Sequence, residues 1–233
     1  MEKAVVGRQG TEVIVNDFVR SVYNWMAIGL ALTGFVAYYV AGKPELTRLI
    51  FGNAVLMIVF ILGYFGLVMF LSARIEKISS GTATILFLLY SGLTGVLLSS
   101  VFLIYTAESI ASTFFICAGT FVGCSIYGWT TKRDLTSWSG FLMMGLIGVI
   151  IAILVNMFIQ SSAMTLMIGC IGVIVFVGLT AYDTQKLKNM ALTQPAGLDA
   201  GVKRKGAILG ALSLYLDFIN LFLMLLRIFG QRR

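Results

Sequence analysis

The chain reads as an all-α integral membrane protein of seven transmembrane helices, and three observations carry that reading. Apolar residues make up 59% of its 233 residues and charged ones 12%, with a mean hydropathy of +0.96, whereas about a quarter of a soluble domain is charged. Stretches free of Asp, Glu, Lys and Arg run from Ser21 to Gly42, Leu49 to Ala73, Ile78 to Ala107, Ser109 to Thr131 and Leu135 to Tyr182, and about 20 such residues cross hydrocarbon as a helix. The polar–apolar alternation that marks a membrane barrel is absent.

The first span is placed at Val22 to Ala41, with Tyr23 and Trp25 at one end and Tyr38 and Tyr39 at the other, as interfacial aromatics sit. Gly42, Lys43 and Pro44 end it. The second covers Ala54 to Ala73 and stops at Arg74, Glu76 and Lys77; the third runs from Gly81 to Tyr105. The turn Thr106 to Ser109 is so short that the fourth span, Ile110 to Trp129, must be its antiparallel neighbour. A polar loop, Thr130 to Ser139, follows. The next charge-free run is too long for one crossing, and its only polar break is Gln160, Ser161 and Ser162, so it divides into Gly140 to Ile159 and Met164 to Tyr182. Thr184 to Lys205, with five basic residues and Pro195, is expected to be the longest loop, aqueous and mobile. The last span is Ala207 to Phe229.

Residues 1–20 are of mixed charge and without a cleavable apolar region, so they read as a cytoplasmic tail ahead of a single membrane domain over 21–233, whose first span is the insertion signal. Positive residues gather on the cytoplasmic side of membrane proteins. With the N-terminus inside and seven crossings, only Lys43, Arg48, Arg227, Arg232 and Arg233 fall outside. Those three C-terminal arginines fit better if the last segment re-enters and returns to the cytoplasm, so six spans plus a hairpin is the alternative.

The net charge of +7 points to topology rather than to nucleic acid, because the basic residues lie in short loops and not on one soluble face. Cys117, Cys124 and Cys170 lie inside apolar segments without CxxC spacing, which argues against a disulfide framework or a zinc site. No histidine occurs, so Ser-His and Cys-His nucleophiles are excluded and a pH response must come from other groups. No cofactor is expected. The pairs Gly119-x-x-x-Gly123 and Gly206-x-x-x-Gly210 read as helix packing.

Two acids stand out. Asp217 is the single acid near the middle of the last span, and an ionisable group at membrane depth is costly enough to mark a site. Asp183 ends the sixth span in AYDTQKLKN. Under the seven-span topology Asp183, Asp217 and Arg74 share the cytoplasmic leaflet, though the two acids differ in depth. If they meet, low dielectric keeps both from ionising cheaply and they share a proton. With Arg74 they form a latch, closed when protonated and forced apart when both acids are charged, and the same carboxylates attract a passing hard cation. Asn220, at i+3 from Asp217, adds a second polar group, while Glu108 reads as solvated in an outer turn.

The stretches LSLYLDFINLFLMLLRIFG, VIVFVGLTAYDTQKLKNM and TKRDLT resemble the Bax inhibitor-1 family, also called the transmembrane Bax inhibitor motif proteins, and in particular its bacterial inner-membrane members. The resemblance covers nearly the whole chain. It implies six helices wrapped around a central seventh, a location in the bacterial inner membrane, and a pH-sensitive calcium leak. The family's aspartate pair falls on Asp183 and Asp217, its second-helix arginine on Arg74, and weak, transient calcium contact on the two aspartates. Two other functions are weighed against that expectation. One is a stress-related modulator that binds another membrane protein, such as a membrane protease, through the Thr184 to Lys205 segment or the N-terminal tail. The other is an intramembrane aspartyl protease, against which stands Leu214-Tyr215-Leu216-Asp217 in place of Gly-x-Gly-Asp.

Overall fold

The computed structural model describes residues 2–193 and 198–233, with side chains described from Val15 onward. Its helices are α1 (Glu2–Ala41), α2 (Pro44–Phe51), α3 (Ala54–Arg74), α4 (Ser80–Ile104), α5 (Ala107–Thr130), α6 (Ser139–Ile159), α7 (Ser162–Thr193) and α8 (Ala200–Phe229), with a 3-10 turn at Thr136–Trp138 before α6. All but α2 contain a segment long and apolar enough to cross a membrane, making seven among the described residues. The protein is an all-α multi-pass membrane protein. Its large exposed side chains agree with that: Phe158, Phe115, Met144 and Phe35 are 89, 74, 74 and 69% exposed, a surface that lipid tolerates and water penalises.

The helix boundaries follow local chemistry. Asn53 caps α3 by accepting from the N–H groups of Val55 and Leu56 at 3.0 and 3.2 Å, and the Thr106 hydroxyl caps α5 through the Ser109 N–H. Gln160 ends α6 in the left-handed region at φ 54°, ψ 32°, with its N–H on the carbonyl of Asn156. The polar break read at Gln160, Ser161 and Ser162 is therefore a true helix junction. Lys43 and Pro44 do more than end the first span. Pro44 takes the first turn of α2, a place where its missing N–H costs nothing, and this short helix with no buried residue was not foreseen.

The segment Thr184 to Lys205 is not the long aqueous loop that was expected. α7 continues to Thr193 and α8 starts at Ala200; Pro195 lies outside the described residues. A span reading stops at the first charge, but a helix stops only where its backbone bonds do, and α7 and α8 both outrun their apolar cores. The re-entrant alternative also falls. α8 is one unbroken helix of 30 residues, about 45 Å long against roughly 30 Å of hydrocarbon. It is also the most buried: 72% of its most apolar stretch is covered, against 6 to 39% in the other six spans.

The chain forms two compact units. The first comprises 1–104 and 191–212, the second 105–190 and 213–233. In the first, α4 lies along α1, where the Thr33 hydroxyl donates to the Ser91 carbonyl at 2.8 Å. Gly95 permits the approach, because a Cβ there would sit 2.6 Å from the carbonyl of Thr33. α3 joins through Tyr64, whose ring stacks on Tyr90 at 4.6 Å and whose hydroxyl accepts from that of Tyr90 at 2.6 Å. The first half of α8 attaches through Arg204 over the Trp25 ring at 5.4 Å and Lys205 donating to the Glu76 carbonyl.

In the second unit α5 presents Ser109, Thr113, Cys117, Phe121, Ser125 and Gly128 as one buried stripe. Gly128 meets α7 so closely that a Cβ would land on the Ala181 carbonyl, whereas Gly119 and Gly123 have nothing within 4 Å. The Gly119-x-x-x-Gly123 pair is thus no packing motif here.

Candidate functional site

Both sequence-nominated aspartates belong to the second unit. α7 and α8 run antiparallel there. A Cβ at Gly172 would strike the Met224 side chain at 2.6 Å, and one at Gly169 the Ile228 side chain at 2.9 Å and the Met224 carbonyl at 3.3 Å. Carried along both helices at equal pace, this register puts Asp217 level with Leu179 and Asp183 level with Ser213. The two acids are then about one turn, roughly 6 Å, out of level, near enough that Asp183 is the charge acting most strongly on Asp217.

Asp217 is 5% exposed, and its Oδ2 is buried without a hydrogen-bond partner. The residue after it is gripped by α5: the Phe218 ring lies 5.4 Å from that of Phe121 and 5.6 Å from that of Phe114, and the Cys117 thiol donates to the Phe218 carbonyl at 3.6 Å. The hydroxyl oxygens of Thr113 and Ser125, on the buried stripe of α5, also lack partners. An orphaned buried polar atom costs about 1–3 kcal/mol when dry, and each of these three oxygens carries that cost. Asn220 is different. Its side-chain nitrogen donates to the Leu216 carbonyl at 2.8 Å, so it is satisfied within its own helix.

Asp183 is half-buried, ten residues before the end of α7 rather than at its tip. Its cationic neighbour is Lys186, at i+3 on the same helix, a residue that sequence reasoning passed over as loop. Two further residues of the expected loop hold this end of α7 in place. Gln185, 7% exposed, donates to the Arg133 carbonyl and accepts from the Leu135 N–H, both at 2.8 Å. Lys188 donates to the Trp129 carbonyl at 2.6 Å. Neither signal was visible without knowing that the helix continues past Asp183.

Arg74 belongs to the first unit, as the exposed last residue of α3, and its carbonyl accepts from the N–H groups of Lys77 and Ile78. Glu108 is exposed in the first turn of α5. Cys117, Cys124 and Cys170 are all free thiols. Among the described residues no three Asp, Glu, Cys or His side chains cluster as they would around a tightly held metal.

Comparison with known proteins adds the decisive observation. The profile of the family described as inhibitor of apoptosis-promoting Bax1 matches residues 15–233. The chain belongs to that family. It is similar to the inner membrane protein YbhL of Escherichia coli K12, 56% identical over 219 residues that cover 94% of this chain and 93% of YbhL. An uncharacterised protein of Borreliella burgdorferi is 50% identical over 222 residues, 95% of this chain and 94% of that one. One from Rickettsia prowazekii is 45% identical over 216 residues, 93% and 90% of the two chains. Asp183 and Asp217 lie on α7 and α8, the helices whose sequence runs carried the resemblance.

Proposed function

We propose that this protein is a pH-sensitive cation leak of a bacterial inner membrane, conducting chiefly calcium, with Asp183 and Asp217 as the titrating pair. The observation that carries the proposal is the unpartnered Oδ2 of Asp217, buried in the most covered helix and acted on by a second carboxylate. An ionisable side chain is kept at such depth against its cost only when its charge is used. The inner-membrane location rests on the likeness to YbhL, whose name states it.

The mechanism uses few parts. With one proton on the pair, the carboxylates attract and hold α7 and α8 in register. With both ionised they repel, and the second half of α8 shifts against α5 and α7. Thr113 and Ser125 supply polar oxygens to water entering along the parted faces. Two carboxylates are fewer than the six to eight oxygens of a tight calcium site, which suits transit rather than storage. Lys186 moderates the charge on Asp183, and the family resemblance assigns Arg74 the role of conformational partner.

Calcium flux in proteoliposomes, followed with an entrapped indicator between pH 6 and 8, tests the reading. Flux should rise with pH, and D217N should flatten that rise. K186Q should displace the midpoint, and R74Q should change the amplitude without displacing it. Flux that is flat with pH in the unaltered protein, or a rise retained by D217N, would overturn the proposal.

A further inference from the structure

We propose that a cavity at the end of the second unit away from Asp134 and Lys188 binds a phosphate-bearing anion, either the headgroup of an anionic phospholipid or free phosphate. The cavity is about 440 Å³ and is lined by Asn156, Gln160, Ser162, Thr165, Arg227 and Arg232, with Leu166 and Gly230 completing its wall. Its volume lies within the usual range of small-molecule sites.

The cavity is built by specific local structure. Gln160, the only non-glycine residue with positive φ among the described residues, turns the chain so that α7 starts two residues after it. Asn156 stiffens that corner, accepting from the Ser161 N–H at 3.0 Å and donating to the Thr165 hydroxyl at 2.8 Å. With Asn156 so engaged, Gln160, Ser162 and the two arginines are left to face a ligand.

The chain after α8 is pinned as well. The Thr106 N–H donates to the Gln231 carbonyl at 3.0 Å, the Gln231 N–H donates to the Ser109 hydroxyl at 2.9 Å, and Tyr105 and Arg232 form an antiparallel bridge. At the bend stands Gly230, where any Cβ would run into the Tyr105 ring and the Leu226 carbonyl.

This pinning sets Arg232 in the wall of the same cavity as Arg227, where the two charges act on each other, and no Asp or Glu lines that cavity among the described residues. Two guanidinium groups forced together without an acid between them call for an anion, and phosphate oxygens suit their donor geometry. Arg227 lies in the last turn of α8, at the end of a span, where the chain leaves hydrocarbon for the headgroup region. The same reasoning resolves the excess of positive residues on the face where the orientation rule expects few: Arg227 and Arg232 are there as ligands.

The test uses the full chain purified in a neutral detergent, with thermal unfolding followed during titration with dihexanoyl phosphatidylglycerol, dihexanoyl phosphatidylcholine or inorganic phosphate. Phosphatidylglycerol is expected to raise the midpoint and the net-neutral phosphatidylcholine to leave it unmoved. Each of R227Q and R232Q should weaken the apparent affinity about five-fold, the worth of one basic residue near a lipid surface. Arg232 is exposed on the tail, so R232Q keeps the fold whatever R227Q does, and S162E should block binding by placing a carboxylate at the mouth. Protection by phosphatidylglycerol alone supports a lipid site, and equal protection by inorganic phosphate supports a site for the free anion. Protection by neither, equal protection by phosphatidylcholine, or protection undiminished in R232Q overturns the proposal.

Discussion

Neutralising either aspartate should remove an interaction whose size follows from the packing of α7 on α8. The register set by Gly169 and Gly172 against the 224–228 turn places Asp183 and Asp217 one helical turn out of level, roughly 6 Å. With the lateral spacing of packed helices added, two unit charges about 6 to 11 Å apart repel by about 1.5 to 3 kcal/mol at an effective dielectric near 20. Asp183 is half-buried, and water there reduces the figure toward about 1 kcal/mol. Ionising both acids should therefore shift the balance between closed and parted helices by about 5- to 150-fold, at 1.4 kcal/mol per decade.

A double-mutant cycle measures this directly. The ratio of calcium flux at pH 8 to that at pH 6 is taken for the unaltered protein, D183N, D217N and the double variant, all at the same protein-to-lipid ratio. Each single change should collapse the ratio toward one, and the double change should add nothing, because the repulsion needs both charges. Additive effects, or a collapse produced by only one of the two changes, would refute the coupling.

Four further outcomes follow from the geometry. Gln185→Leu strips the Leu135 N–H and the Arg133 carbonyl of their shared partner and should cost about 1–3 kcal/mol, seen as a drop of several degrees in thermal unfolding in detergent. Gly128→Ala places a Cβ on the Ala181 carbonyl and should cost about 1–3 kcal/mol or more. Gly119→Ala, exposed and with nothing within 4 Å, should be neutral or stabilise by up to about 1 kcal/mol. The hydroxyl and N–H of Thr136, both donating to Asp134, hold that carboxyl below the usual carboxylate range. Its contribution to stability is present above the unfolded-state value near 3.9 and is lost as pH falls through the lower folded value. Thr136→Val should raise the Asp134 midpoint in a carbonyl NMR titration, and an unchanged midpoint would count against the hydroxyl's part.

The spans were legible because their signal is local. A run of apolar residues between charges needs no tertiary partner to be recognised, and all seven crossings were found, as was the junction at Gln160, although α1 begins well before the expected Val22. The ends of α7 and α8 were not legible. Lys186, Lys188, Lys203, Arg204 and Lys205 end an apolar run without ending a helix, and the anchors that extend α7 lie some 50 residues away in sequence, at Arg133 and Leu135. The short α2 escaped for a related reason: eight residues with charges at both ends look like a loop until Pro44 is seen to start a helix.

The glycine pairs show the same division at the level of packing. Spacing singled out Gly119 and Gly123, yet close approaches fall instead at glycines such as Gly95, Gly128, Gly169 and Gly172, since what a glycine permits depends on the neighbour that arrives. Chemistry and rough depth are properties of the chain: a carboxylate within an apolar run is costly wherever that run folds, so Asp217 stood out before any coordinates. Distance is a property of the packed helices. That Asp183 is the charge felt by Asp217, that Lys186 attends it, and that Arg227 and Arg232 close on one cavity all depend on helix register and on a pinned tail, which contacts remote in sequence set.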